Sequence, residues 1–396
     1  MSRTTAKEDP ITISEVASIA QRKLPSNVYD YYACGSDEQQ ALRRNVREFD
    51  RLLVRPRVMV DVSSVDTSTS LFGVKYPMPL GFAPSAMQRL VGENGESDVA
   101  AAANELGLNM TLSSQSTTSL EDVSRENDAR PDSPDWWFQI YLTQDLERSL
   151  PLIKRAETAG YKALVVTVDT PVLGNRINER RTPLVLPSHL RLANFESAST
   201  PALKERKPTM NRLFMDARTL KDAQSIAAVA GPTMHSSSLT WETTLPWLRK
   251  VTNLKIILKG VMTAEDGRLA VEHGADAVVV SNHGGRQLDC APSTIEALPE
   301  VAEAIAGRIP VIFDGGIHRG SDIFKAVALG AEFVLIGRPV LWGLSYKGKE
   351  GVQVVCNILE REFYRTMALA GVTDLSQITK ASLAVARRDT FGLSRL

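Results

Sequence analysis

The sequence is poor in cysteine, has no excess of either charge and contains no long apolar run. Its 396 residues include three cysteines, Cys34, Cys290 and Cys356, whose wide spacing argues against a disulfide framework and favours a reducing compartment. Lysine plus arginine and aspartate plus glutamate both number 46, so the charge balance indicates neither nucleic acid nor an anionic membrane as a partner. No apolar stretch approaches the ~20 residues of a membrane-spanning helix, and the polar first residues do not resemble a secretory signal.

A repeating unit of helix, glycine and short apolar strand occupies most of the chain. Gly107, Gly160, Gly274 and Gly330 stand where predicted helices end and strands follow, which is a common position for glycine. Eight such units predict an α/β fold, a closed (β/α)8 TIM barrel. No G-x-G-x-x-G motif follows the first strand, which counts against a doubly wound dinucleotide-binding fold. The predicted strands are 79–83, 109–113, 137–142, 163–168, 255–259, 277–280, 310–313 and 333–336.

The chain is predicted to form one domain over residues 1–396. Residues 1–70 are predicted to form an N-terminal helical cap and connector, 71–345 the barrel, and 346–396 a closing helix and tail. A long, mostly polar connection of residues 187–239 follows the fourth strand, and we expect it to lie over the catalytic face. His189 and His235 within it are expected to be solvent-exposed.

Polar side chains stand at the predicted ends of the apolar strands. Enzymes with this fold carry their chemistry at the carboxyl ends of the strands. Each residue alone could have an ordinary structural role, for example Thr167 as part of a strand or Asp169 as a helix cap. Taken together, these residues favour an active site. From the first strand to the eighth they are Pro84, Ser85 and Ala86; Ser113 and Gln115; Gln139 and Tyr141; Thr167, Asp169 and Arg176; Lys259; Ser281, His283 and Arg286; Asp314, Gly315 and Gly316; and Gly337 and Arg338.

The stretch of residues 281–289 combines a histidine, two glycines and an arginine directly after an apolar strand. Glycine lets the backbone turn sharply at a strand end. His283 and Arg286 would then place a base beside a fixed cation, which suits proton removal from a substrate held by its carboxylate. For this stretch alone, a surface turn that only faces solvent explains the pattern about equally well.

Strands seven and eight both end in glycines that are followed by cations. Backbone N–H groups and Arg338 at these ends predict a phosphate site, as in many barrels of this type. A phosphate site beside residues that suit redox chemistry predicts that the bound cofactor is flavin mononucleotide (FMN). Lys259 would lie near the flavin ring and stabilise negative charge on it.

These motifs resemble the FMN-dependent α-hydroxy acid oxidase and dehydrogenase family, and glycolate oxidase-like members in particular. The resemblance runs from residues 24–25 to the closing helix. It implies an enzyme that oxidises a 2-hydroxy acid to the 2-oxo acid, with oxygen or another compound as electron acceptor. The motifs that carry it are Leu258-Lys259-Gly260, residues 281–289, Asp314-Gly315-Gly316, Gly337-Arg338-Pro339 and residues 28–33, 167–171 and 173–176.

The resemblance also implies roles for individual residues. His283 would be the catalytic base, Asp169 would orient it, and Tyr141 would hydrogen-bond the substrate hydroxyl. Arg176 and Arg286 would hold the carboxylate with help from Tyr31, and Gln115 would line the substrate pocket. No metal is expected. The residues implied to hold FMN are Pro84, Ser85, Ala86, Ser113, Gln139, Thr167, Lys259, Ser281, Asp314, Gly315, Gly316, Ile317, His318, Gly337 and Arg338.

Two positions depart from the family pattern and leave alternatives open. Gln115 replaces the tryptophan of glycolate oxidase-like members, so a different substrate in a biosynthetic pathway is one alternative. His318 stands where members often carry arginine, but a histidine can still meet a phosphate. A barrel that binds FMN without turnover is the second alternative.

The last three residues, Ser394-Arg395-Leu396, are a conservative variant of the S-K-L peroxisomal signal. They predict a peroxisomal protein that meets the import receptor; without a functional signal the protein would be cytoplasmic. The family resemblance further implies a homo-oligomer.

Overall fold

The computed structural model describes residues 9–127, 133–196, 217–219, 221–222, 225–226, 235–386 and 393–395. Helices and short strands alternate along most of these residues. The helices are α1 Ile13–Lys23, α2 Ser26–Ala33, α3 Gln40–Arg47, α4 Glu96–Leu106, α5 Leu120–Ser124, α6 Leu150–Thr158, α7 Ile177–Arg181, α8 Trp241–Val251, α9 Ala264–Glu272, α10 Thr294–Ile305, α11 Gly320–Ala328 and α12 Arg338–Ala370. The strands are β1 Leu52–Val54, β2 Thr69–Leu71, β3 Val74–Tyr76, β4 Leu80–Phe82, β5 Asn109–Ser113, β6 Trp137–Ile140, β7 Ala163–Thr167, β8 Lys255–Val261, β9 Ala277–Val280, β10 Val311–Asp314, β11 Phe333–Ile336, β12 Leu383–Ala386 and β13 Leu393–Arg395.

Strands β4 to β11 form a closed barrel in which neighbouring strands are parallel. They follow chain order around the barrel, and the ring closes where β11 pairs with β4, with Leu335 opposite Gly81. Each barrel strand begins and ends within about two residues of a predicted strand, which is within the usual uncertainty of a predicted boundary. The expected (β/α)8 TIM barrel is confirmed, so the carboxyl ends of all eight strands open on one face.

The amino end of the barrel is closed by the β2–β3 hairpin. Leu71 and Tyr76 from the hairpin are buried in one apolar cluster with Trp137 and Phe333, which begin β6 and β11. The rings of Tyr76 and Phe333 are 5.0 Å apart, and those of Trp137 and Phe333 are 6.3 Å apart. Apolar packing at this end therefore holds the strands in register beneath the site.

The N-terminal helices lie against the opposite, carboxyl end of the barrel. The Asp289 carboxylate accepts a hydrogen bond of 3.0 Å from the backbone N–H of Ala41 in α3. Asn45 and Asn282 exchange two amide hydrogen bonds of 2.8 Å each, and both side chains are buried. Because these contacts join α3 to the turn after β9, the cap is held against the stretch that carries His283.

The two ends of the chain pair with each other. β1 and β12 form an antiparallel pair, and β13 extends this sheet on the far side of β12. α12 contains a break at Lys347 and Gly348, and the predicted closing helix corresponds to its second part. Among the described helices, none is both long and apolar enough to cross a bilayer. Residues 387–392 and Leu396, on which the predicted polar tail partly depends, lie outside the described residues.

Candidate active site

His283 and Asp169 form a hydrogen-bonded pair at the carboxyl ends of β9 and β7. His283 Nδ1 lies 2.9 Å from Asp169 Oδ1, and both side chains are largely buried. Burial lowers the pKa of His283, although the facing Asp169 opposes this shift. Burial acts to raise the pKa of Asp169, but His283 and its hydrogen bond bring that pKa below the ordinary value. A neutral imidazole that donates from Nδ1 to an ionised aspartate presents Nε2 as a proton acceptor.

The backbone around this pair is held in an uncommon conformation. His283 has a φ of +58°, a region that non-glycine residues rarely adopt and that often marks functional sites. The backbone N–H of His283 donates to the Ser281 hydroxyl at 3.1 Å. Gly260 has a φ of +116°, and a Cβ there would lie 2.6 Å from the Cβ of Asp169. Glycine at position 260 is therefore what allows the Asp169 loop to approach β8.

Gln287 connects the Asp169 loop to the stretch after β9. Its side-chain amide donates to the carbonyl oxygens of Asp169 at 2.8 Å and Val172 at 2.9 Å. Its side-chain oxygen accepts from the backbone N–H of Gly174 at 3.0 Å. These bonds fix the relative positions of His283 and Asp169. Gln287 was not predicted to have a role, because a glutamine within the 281–289 stretch carries no local pattern that shows which groups it bonds.

Arg176 and Arg286 are brought together by one carboxylate, that of Glu179. Glu179 Oε1 lies 3.2 Å from Arg176 Nη1 and 3.3 Å from Arg286 Nη2, and all three side chains are largely buried. The Arg286 guanidinium also lies over the Tyr31 ring at 5.0 Å and donates to the Tyr31 carbonyl oxygen. One carboxylate facing two arginines leaves a net positive charge, which suits one substrate carboxylate. The spacing of Glu179 in the sequence indicates its contact with Arg176. Glu179 lies on the short helix α7, three residues after Arg176, and side chains at that spacing are neighbours on a helix.

Tyr141 and Gln115 stand at neighbouring strand ends. Burial raises the pKa of Tyr141, with Asp169 acting in the same direction, so the phenol remains a hydrogen-bond donor at neutral pH. Gln115 is half-buried, and its backbone N–H donates to the Ser113 hydroxyl at 3.1 Å. The structure thus places Tyr141, Asp169, His283 and the two arginines on one face of the barrel.

Two chains of polar side chains line the barrel mouth beneath these residues. On one side the Gln139 amide donates to the Thr167 hydroxyl at 3.0 Å, and the Ser113 hydroxyl donates to the Gln139 side-chain oxygen at 3.3 Å. On the other side Lys259 Nζ donates to the Ser281 hydroxyl at 3.0 Å and lies 3.4 Å from Asp314 Oδ2.

Lys259 remains a fixed cation despite its depth. Burial acts to lower its pKa, but Asp314 and Asp169 outweigh burial and raise it. The buried Oδ1 of Asp314 has no hydrogen-bond partner among the described residues. This mouth therefore offers an ammonium group and an acceptor that remains to be paired, which fits the ring and hydroxyl groups of a flavin.

The residues predicted to bind a phosphate follow β10 and β11, and β11 pairs with β4 in the barrel. A Cβ added to Gly337 would lie 3.8 Å from the Cβ of Ala83 and 3.9 Å from the Ser85 hydroxyl, so these strand ends lie close together without a clash. The Arg338 guanidinium donates to the carbonyl oxygens of Tyr32, Gly284 and Cys34.

The charge state of this region fits an anionic ligand. Burial, together with Arg286, lowers the pKa of Arg338 to about 9, and among the described residues no carboxylate forms an ion pair with it. Burial, together with Arg338, lowers the pKa of His318 to about 4. Burial destabilises the charged form of a cationic side chain, and a nearby phosphate stabilises it. The residues present therefore fit FMN. Gly315, Gly316 and Ile317 form the adjoining turn, and Pro84 and Ala86 follow β4.

His235 contradicts the expectation of solvent exposure, whereas His189 is exposed as predicted. His235 is 8% exposed, and its ring packs edge-on against Tyr141 with 4.2 Å between centroids. The prediction for His235 was wrong because a polar connection gives no sign of which of its residues folds back onto the barrel. Most of the long connection lies outside the described residues, but its last part, which carries His235, lies on the catalytic face.

Comparisons with known proteins identify the family of this chain. A model of the FMN-dependent dehydrogenase family matches residues 20–385. The chain is 44% identical to a 2-hydroxyacid oxidase of Dictyostelium discoideum over 96% of its length and 91% of that protein. It is 43% identical to a glycolate oxidase of Spinacia oleracea, over 94% of this chain and 95% of that one. A solved structure of a mandelate oxidase mutant with (S)-mandelic acid has a TM-score of 0.81 and 34% identity, and covers 98% of this chain and 100% of the other. The chain belongs to the FMN-dependent dehydrogenase family, and its cofactor is FMN.

Proposed function

We propose that this protein oxidises a 2-hydroxy carboxylic acid to the 2-oxo acid, with FMN as cofactor and oxygen as electron acceptor. The observation that carries this proposal is the His283–Asp169 pair, joined at 2.9 Å beside two arginines that share one glutamate. A base next to a carboxylate-binding cation is what removal of a proton from a hydroxy acid requires. The relatives named 2-hydroxyacid oxidase, glycolate oxidase and mandelate oxidase support the same reaction and the same acceptor.

The substrate would be held by its carboxylate and its hydroxyl. Arg176 and Arg286 would bind the carboxylate, and Tyr31 would support Arg286 from beneath. The protonated Tyr141 would donate to the substrate oxygen. Holding both groups at once places carbon 2 and its hydroxyl within reach of one base.

His283 would act as the base through Nε2. It would accept a proton from the hydroxyl or carbon 2, and the ionised Asp169 would stabilise the imidazolium that results. Bound FMN would supply the redox chemistry by accepting two electrons and passing them to oxygen. Loss of two electrons and two protons converts the hydroxy acid to the oxo acid, and oxygen that gains them becomes hydrogen peroxide.

The polar residues of the barrel mouth would hold FMN. Lys259 would stabilise negative charge on the flavin ring, and Asp314 would accept from a hydroxyl of its side chain. Around the ring and the ribityl chain we place Pro84, Ser85, Ala86, Ser113, Gln139, Thr167, Lys259, Ser281 and Asp314, and around the phosphate Gly315, Gly316, Ile317, His318, Gly337 and Arg338.

Two measurements test this function. The purified protein is expected to be yellow and to release FMN rather than FAD on denaturation. Mixed without oxygen with a panel of 2-hydroxy acids, it should lose its flavin absorbance with at least one of them and regain it when oxygen is admitted. A flavin that no hydroxy acid bleaches would contradict the proposed reaction, and a colourless protein that takes up no FMN would contradict the cofactor site.

We further propose peroxisomal localisation through Ser394-Arg395-Leu396 and the import receptor. Ser394 is exposed, and an oxidase that produces hydrogen peroxide suits that compartment. The test compares an N-terminally tagged full-length chain with one lacking the last three residues. Punctate fluorescence that becomes diffuse on truncation is expected, and diffuse fluorescence from both would refute the signal.

We also propose that residues 1–396 form one domain and that the protein is a homo-oligomer. The pairing of β1 with β12 and the packing of α1 on α12 support a single folding unit. Sedimentation velocity of the FMN-loaded protein tests the assembly, and a monomer at micromolar concentration would contradict it.

A further inference from the structure

His235 lies in the candidate active site, just before a hydrogen-bonded turn. The Ser236 hydroxyl accepts from the Ser238 backbone N–H at 3.2 Å, a turn that leads into α8. Ser236 itself is buried. His235 directly precedes this turn, and its ring packs against Tyr141 of the barrel.

A cavity of about 70 Å³ separates this segment from the strand ends. Its wall includes Tyr141, Thr170, His235, Ser236 and Ser237. The same wall includes Thr167 at the end of β7 and the apolar Leu142, Val168, Pro171 and Leu239. The cavity has room for a small substituent, and six of its ten lining residues carry a side chain that can hydrogen-bond.

The imidazole of His235 is neutral in this position. Burial, followed by the charges of His283 and Arg176, lowers its pKa to about 4, and Asp169 opposes the shift. A neutral imidazole carries one donor and one acceptor nitrogen. It therefore matches an uncharged hydroxyl group, which also donates and accepts, whereas it brings no positive charge to offset a second carboxylate.

We propose that His235 is a specificity-determining residue that favours 2-hydroxy acids with an uncharged hydrogen-bonding group on carbon 3. The proposal rests on the proposed function, because it assigns the substrate's side chain to the cavity beside Tyr141. His235 and the neighbouring hydroxyl groups of Thr170, Ser236 and Ser237 would surround that group. An alkyl side chain of the same size would leave these polar groups facing carbon, which disfavours it.

Glycerate and 2-hydroxybutanoate are a matched pair for the test, since a hydroxyl in one replaces a methyl in the other. The ratio of kcat/KM for glycerate to that for 2-hydroxybutanoate is measured in the FMN-loaded protein. His235→Phe keeps a buried ring against Tyr141 but removes both nitrogens, and the ratio is expected to fall about three- to tenfold, the effect of one neutral hydrogen bond. His235→Asn keeps a donor and an acceptor and should retain most of the preference. His189→Phe, on the exposed part of the same connection, is the control and should leave the ratio unchanged.

The possible results distinguish failure of the specificity role of His235 from failure of the proposed function. A ratio that stays within twofold in His235→Phe, or an equal loss for both substrates, shows that the ring only fills space and overturns the specificity role. A wild-type preference for 2-hydroxybutanoate overturns it as well, while leaving hydroxy acid oxidation intact. If the wild type oxidises no 2-hydroxy acid, the proposed function fails and the specificity role fails with it.

Discussion

The two ends of the barrel are built from the same eight strands but by opposite chemistry. At the amino end, Tyr76, Trp137 and Phe333 are each no more than 1% exposed and pack ring against ring. At the carboxyl end, Lys259 and Asp314 are buried to nearly the same degree, but they form an ion pair. Burial therefore stabilises one end through apolar packing, whereas at the other it perturbs charges.

Stability and activity are expected to depend on different ends of this barrel. Buried ionisable groups cost folding free energy unless they are paired, and the carboxyl end pairs its groups only in part. Asp169 Oδ2, Asp314 Oδ1 and Arg176 Nε are buried without a hydrogen-bond partner among the described residues. We expect substitution of the proposed catalytic residues at this end to change turnover far more than stability, and mutations at the amino end to do the reverse.

The largest effect is expected from His283→Ala. Turnover should fall by about two to four decades, the usual effect of losing a positioned acid or base, while FMN content and melting temperature stay near those of the wild type. Rapid anaerobic flavin reduction measures the loss, with His189→Ala as control. Near-normal reduction by the variant would show that another group acts as the base.

Phe333→Ala is the matching change at the amino end. Removing this fully buried ring should reduce the free energy of unfolding by about 3–5 kcal/mol, measured by urea denaturation of the FMN-loaded protein. The kcat of the folded fraction should stay close to the wild-type value. Leu369→Ala, at a side chain that is 75% exposed, is the control. A loss of kcat without a loss of stability would break the division between the two ends.

Gln115→Trp should change substrate choice without affecting the amino end. The indole occupies more volume than the amide, so the variant should favour the smallest hydroxy acids over longer ones. Each methylene rejected corresponds to about 1–3 kcal/mol in relative kcat/KM. Gln115→Leu separates loss of the amide from gain of volume. If the wild type already prefers glycolate over every longer acid, the interpretation of Gln115 is wrong.

The pH profile should show the smallest change. Burial lowers the pKa of His283 below its ordinary 6.5, so kcat/KM should hold near neutral pH and decline about tenfold per unit below the lowered pKa. Since Asp169 opposes that lowering, Asp169→Asn should shift the acidic limb to still lower pH, besides reducing the rate. The exposed Asp61→Asn is the control. An acidic limb that moves to higher pH in Asp169→Asn would contradict the assigned pairing.

The fold could be predicted from the sequence because the patterns that indicate it are formed by residues close together in the chain. Each predicted apolar run of four to six residues in the barrel became a strand, and glycines such as Gly107 and Gly274 stand at helix ends with positive φ. The motif residues that the resemblance pointed to, among them Asp169, Arg176, His283 and Arg286, lie together as expected. The pairing of β1 with β12 was not predicted, because it joins residues more than three hundred positions apart.

By itself, the sequence determined the barrel, the family and the set of polar residues at its mouth, since hydrophobic periodicity and short motifs are properties of neighbouring residues. Only the tertiary structure decided that Glu179 joins the two arginines, that Gln287 joins the Asp169 loop to the His283 stretch, and that His235 is buried against Tyr141. Each of these contacts connects separate strand ends or loops. They form because the closed barrel brings the carboxyl ends of its strands to one face. No local sequence pattern specifies which side chains meet there.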